Sequence, residues 1–217
     1  MIKLNPDVND ALNEIFNIGI GQAASVLSTL VDDEILLTIP ELMVLQHSEF
    51  ADYAKAVWGD KASIVHQNFD GPFHGDALLI FPVQQSLDLV RALLATNEPI
   101  ETMTELERET LLEIGNIILN ACLSSVADML EREITNSLPR YIESTPSNII
   151  SQIIVDPQCC VLFLRIQFTV ERHDVHGHII IVLDIPAIDS FQYAAIRLLR
   201  IHDTQWICKE DQKGISL

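Results

Sequence analysis

Basic residues are scarce in this 217-residue chain: 13 Lys and Arg stand against 31 Asp and Glu, a formal net charge of −18. So acidic a balance repels phosphate backbones and anionic lipid, which argues against nucleic-acid and membrane-surface roles. It favours a partner with a basic face or a bound cation. Cysteines are also few. Cys122, Cys159, Cys160 and Cys208 form no C-x-x-C spacing, so neither a disulfide framework nor a zinc site is expected, and the thiols read as reduced and cytoplasmic. No segment reads as a membrane span; the apolar run over 179–185 is broken by Asp184 and stopped by Pro186, far short of the roughly 20 residues required. The start, Met1 to Pro6, lacks the apolar stretch of a signal peptide. Familiar catalytic signatures are missing as well. Gly19 and Gly21 fall within a helical pattern, without the third glycine of a dinucleotide fingerprint. Ser25, Ser28, Ser124 and Ser125 have no G-x-S-x-G context.

What is there is a hydrophobic share of 48%, enough for a folded globular chain. Asn5-Pro6 offers a capping amide followed by a proline that loses no hydrogen bond, and predicts a helix over about 6–31. Val8, Leu12, Ile15, Phe16, Ile18, Ala23, Val26, Leu27 and Leu30 supply its apolar spacing. Inside that helix, Gly19 and Gly21 predict close approach by another backbone or a partner. Thr104 and Glu107 form a capping box that opens a second long helix, reaching about Arg132. Strands are expected over 62–69, 76–81, 160–170 and 177–183, and shorter helices over 84–94 and 188–199. The fold class is therefore α+β: a pseudo-two-fold duplicated fold, with two long helices and shorter ones packed on a shared central sheet. No Gly/Ser-rich linker divides it, so the chain reads as one domain of two internal repeats, about 1–98 and 99–217.

The repeat is visible in four polar positions. Asp10, Glu14, Asn17 and Pro40 recur as Glu109, Glu113, Asn116 and Pro139, all ninety-nine positions later. Glu14 and Asn17 stand at i and i+3, as do Glu113 and Asn116, so each pair shares one helix face beside an apolar stripe. An unpaired buried carboxylate is costly, so these pairs are expected to face solvent or a partner. The amide can donate to and accept from one water, while the carboxylate accepts only and seeks a cation such as Lys. Farther on, His74-Gly75 matches His176-Gly177, and Pro82 with Ser86 matches Pro186 with Ser190.

At these residues the chain resembles the CheC/CheX/FliY family of chemotaxis phosphatases, whose motif is Asp or Ser, three residues, Glu, two residues, Asn, twenty-two residues, Pro. The first copy fits at every position; in the second, Glu109 replaces Asp or Ser. Two copies in one chain look like the two-site CheC branch. The resemblance implies hydrolysis of the aspartyl phosphate on a CheY-like response regulator. Asn17 and Asn116 would orient the attacking water, while Glu14 and Glu113 would anchor to the regulator's active-site Lys. Asp10, Pro40, Glu109 and Pro139 would support the motif. No cofactor is expected on this chain, and Mg²⁺ would belong to the regulator. A CheD-like deamidase is a further implied partner, and the location implied is cytoplasmic. The alternative is a non-catalytic regulator-binding module, such as a flagellar-switch or scaffold relative. A third reading is a metal-dependent enzyme using His173, His176 and His178, though a polar hairpin turn accounts for that cluster better. The tail from His202 to Leu217, with Trp206 and Lys209, is read either as loosely packed or as a partner contact.

Overall fold

The structure, a computed structural model, describes residues 4–72, 74–94, 103–154, 156, 159–170 and 173–183, together with 190, 193, 194, 196 and 197. The helix expected over 188–199 falls mostly outside these residues, and the tail from His202 entirely so. Helix α1 spans Pro6–Val31, and Asn5 Oδ1 accepts the Asp7 N–H at 2.9 Å, the cap its sequence announces. Helix α4 spans Glu105–Leu130 and opens on the Thr104–Glu107 capping box. Both long helices end on an acidic residue in the left-handed region, Asp32 at φ 54° and Glu131 at φ 53°.

Between and after them lie β1 (Ile35–Gln46), α2 (His47–Trp58), β2 (Ala62–Asp70), β3 (Gly75–Pro82), α3 (Val83–Leu94), β4 (Thr135–Asn136), β5 (Arg140–Ser144), α5 (Pro146–Gln152), β6 (Cys160–Val170) and β7 (His173–Leu183). The seven strands form one antiparallel sheet in the order β1-β6-β7-β3-β2-β4, with β5 also on β2. Exchanging the strands of the two halves leaves this order unchanged. The edge registers agree, Glu41 opposite Arg165 matching Arg140 opposite His66, whereas the inner hairpins differ by two residues: Phe69 faces Gly75, but Phe168 faces Val175 and not Gly177.

Helices cover both faces. On one, α1 and α4 pack side by side with α3, burying Phe16, Ile20, Leu111 and Ile118 against Val65, Leu79, Leu164 and Ile179. On the other, α2 and α5 bury Phe50, Trp58, Ile149 and Ile154 against Ile64, Ile80, Phe163 and Ile180. A sheet covered twice needs unbroken apolar strands, which explains Leu78–Phe81 and Ile179–Leu183. Burial pushes the Cys122 thiol up to about 12, so it packs as a neutral group.

Four expectations change. Strand β7 begins at His173 instead of Gly177, so the histidines lie along a strand and not in a turn. Helices α2 and α5 and strands β1, β4 and β5 went unassigned. In α2 the reason is local: Gln46 both ends β1 and caps the helix, so no breaker separates them. In α1, Ile18, Val26 and Leu30 are exposed, at 55%, 49% and 60%, although their spacing placed them on the buried stripe. Finally, α1 and α4 are long and apolar enough to cross a membrane, with mean hydropathy 1.2 and 1.4. Here that apolarity serves the packing of each helix on the other and on the sheet.

Candidate functional site

Each long helix carries its polar motif near its N-terminal half. Asp10, Glu14 and Asn17 of α1 are all exposed, as are Glu109 and Glu113 of α4, while Asn116 is half-buried. Neither amide is shut inside the core. The acids of α1 lie on one i, i+4 ridge that continues through Ile18, Gln22, Val26 and Leu30, every member of it exposed. The matching ridge of α4 runs from Glu109 and Glu113 through half-buried Ile117 and Ala121 into buried Ser125 and Met129. That burial comes from α1: a Cβ on Gly19 would sit 2.6 Å from Ser125 Oγ and 2.8 Å from the Ala121 carbonyl oxygen. Gly21, also expected at a close approach, faces open space.

The two prolines interrupt the two edge strands at matching points. Pro40 stands in β1 where its register on β6 shifts between Thr38 and Glu41, a bulge that spares the proline a ladder hydrogen bond. Pro139 stands between β4 and β5, so the equivalent strand is split in two.

The amides differ in their partners. Asn17 has no hydrogen-bond partner among the described residues. Asn116 Oδ1 accepts from Asn120 Nδ2 at 2.9 Å and from Gln67 Nε2 at 3.4 Å. Gln67 Nε2 also reaches Asn120 Oδ1 at 3.3 Å and the Ser137 carbonyl at 2.9 Å. Asn136 Nδ2 donates to Asn120 Oδ1 at 2.7 Å. Gln67, Asn120, Asn136 and Ser137 escaped notice in the sequence. The usable signal was Asn120, one turn beyond Asn116 on the same helix. Beside this network opens a cavity of about 560 Å³ lined by Asn68, Asp70, His74, Asp76, Asn136 and Ser137.

The histidine cluster does not converge. His176 is exposed, whereas His178 is buried and accepts the Trp58 indole N–H through Nδ1 at 3.1 Å. Burial, then the Arg165 and His176 charges, hold His178 down at about 4. Among the described residues no group of three His, Cys, Asp or Glu is placed to hold a metal.

No family model matches the chain. A curated relative, the CheY-P phosphatase CheC of Bacillus subtilis (strain 168), is 29% identical over 133 residues, 60% of this chain and 63% of CheC. The match therefore spans less than two thirds of that relative's length. Among solved structures, FliY of Thermotoga maritima superimposes with a TM-score of 0.70 at 18% identity, covering 90% of this chain and 99% of FliY. The FliM middle domain from H. pylori gives 0.62 at 12% identity, over 88% and 99%. The chain is thus similar in sequence to CheC over 133 residues, and it shares its fold with FliY and the FliM middle domain.

Proposed function

We propose that this chain hydrolyses the aspartyl phosphate of a CheY-like response regulator. The observation that carries the reading is a pair of acid–amide motifs, one per long helix, with both acids exposed and neither amide buried. An acyl phosphate is intrinsically labile, so a water held in line with phosphorus supplies much of the acceleration. The water oxygen bonds to phosphorus, the bond from phosphorus to the aspartyl oxygen breaks, and inorganic phosphate and a free carboxylate result. Asn17 and Asn116 orient the water; Glu14 and Glu113 pair with the regulator's active-site Lys and fix the docking. Mg²⁺ stays with the regulator, and the reaction is cytoplasmic. The name of the curated relative, a CheY-P phosphatase, supports this assignment, and the net charge of −18 suits a partner with a basic contact face. A CheD-like deamidase is a further partner by family resemblance.

A second reading is docking without turnover. It draws on the fold shared with the FliM middle domain, since FliM has been crystallised in complexes with FliG and with SpeE. The decay of a phosphorylated CheY-like protein separates the two. The chain shortens that decay, and replacing both Asn17 and Asn116 by Ala removes the acceleration, a loss of about 10²-fold. Binding to the phosphorylated protein with no change in its lifetime would leave the docking reading standing.

A further inference from the structure

Resting on that phosphatase reading, we infer that Gln67 is a positioning residue for the second site alone, setting both the rotamer of Asn116 and which end of its amide faces outward. Gln67 is 2% exposed and projects from β2 toward α4. Its Nε2 is surrounded by three acceptors: Asn116 Oδ1, Asn120 Oδ1 and the Ser137 carbonyl. Its Oε1 is buried with no hydrogen-bond partner among the described residues. Turning the Gln67 amide over would point its oxygen at those three acceptors, so only one orientation holds, and it leaves Oε1 unsatisfied. The consequence falls on Asn116. With two donors on Oδ1, its carbonyl is occupied and its NH₂ group is what the site presents, fixed before any partner arrives. A fixed N–H donor can hold a phosphoryl oxygen or the attacking water without being ordered at the moment of docking.

The first site has no such device. The shared register places Ile166 where Gln67 stands in the other half, since Arg165 opposite Glu41 matches His66 opposite Arg140. Gly21 stands for Asn120 and Leu37 for Asn136. None of these side chains can donate a hydrogen bond, and Asn17 has no hydrogen-bond partner among the described residues.

The test uses the full chain in two backgrounds, Asn17→Ala (second site alone) and Asn116→Ala (first site alone), each with and without Gln67→Met. Methionine keeps the length of the side chain and removes the donor. Turnover is followed on a CheY-like regulator phosphorylated with acetyl phosphate. In the Asn17→Ala background, Gln67→Met lowers kcat by about tenfold or more with KM within about twofold. In the Asn116→Ala background the same change moves neither constant by more than about twofold, which also shows that the fold survives. Equal losses in both backgrounds would overturn the inference in favour of a purely structural role. So would an unchanged kcat with the second site alone, or an Asn17→Ala chain with no activity beside an active wild type. A wild-type chain that leaves the regulator's decay unaltered overturns both this inference and the phosphatase reading.

Discussion

The two halves of the molecule share a strand order and the register of their edge strands, yet they solve the same packing problem in opposite ways. Helix α1 carries Phe16 where α4 carries Gly115, ninety-nine positions on. Phe16 is fully buried and fills the space between its helix and the core. A Cβ on Gly115 would sit 2.5 Å from Val65 Cγ1, so α4 rests its backbone directly on β2. The exchange is repeated one turn along, where Gly19 admits α4 closely and its counterpart Ile118 is a buried side chain. Because α4 is pressed inward and covered by α1, its motif ridge sinks and its amide meets a strand residue, Gln67. Because α1 lies outside, its ridge stays exposed and its amide is unengaged among the described residues. A common scaffold has thus produced two unlike sites through glycines placed on opposite partners.

Phe16→Ala breaks the comparison most severely. Emptying that fully buried position costs about 3–5 kcal/mol, read as a lowered urea midpoint with little change in slope. Next comes acid. His178, opposite Arg165 in β6, stands where Leu78 stands opposite His66 in β2, and burial holds it down at about 4 from an ordinary 6.5. Above pH 6.5 both folded and unfolded chains are neutral at this residue. Between 6.5 and 4 the unfolded chain takes up a proton that the folded one refuses, so stability falls as the pH is lowered, by roughly 3 kcal/mol in all. Denaturation curves measured across that range should lose most of this slope in His178→Gln, which can still accept from Trp58. The smallest effects sharpen the role of the two α1 glycines. Gly19→Ala should destabilise by about 1–3 kcal/mol through contact with Ser125 and the Ala121 carbonyl. Gly21→Ala, with nothing near its Cβ, should stabilise by about 0.5–1 kcal/mol. Thermal melts of the pair should therefore move in opposite directions.

The long helices were legible because their signals are local: Asn5-Pro6 and the Thr104–Glu107 box cap their own turns, and the apolar spacing of α1 and α4 extends over seven turns. The acid–amide pairs were legible for the same reason, since i and i+3 on a helix define a face whatever surrounds it. Strand β1 was hidden by Pro40, which reads as a strand breaker until its bulge on an edge is seen. The fate of Ile18, Val26 and Leu30 was equally illegible. Periodicity reports that a stripe is apolar, but the neighbour that covers it is chosen by tertiary contacts, here made around Gly19. Gln67 escaped for the strongest version of that reason. Its partners lie 49, 53 and 70 positions away in the chain, and nothing in its flanking residues points to them.

The crossed strand order also bears on biosynthesis. Strand β1 ends at Gln46, but the strand it pairs with begins at Cys160. At about 5–20 residues per second, a ribosome leaves the first strand's hydrogen-bonding edge without its mate for on the order of ten seconds. Throughout that interval the nascent chain displays a naked ladder, so its yield in a cell depends on whatever shields that ladder until translation catches up.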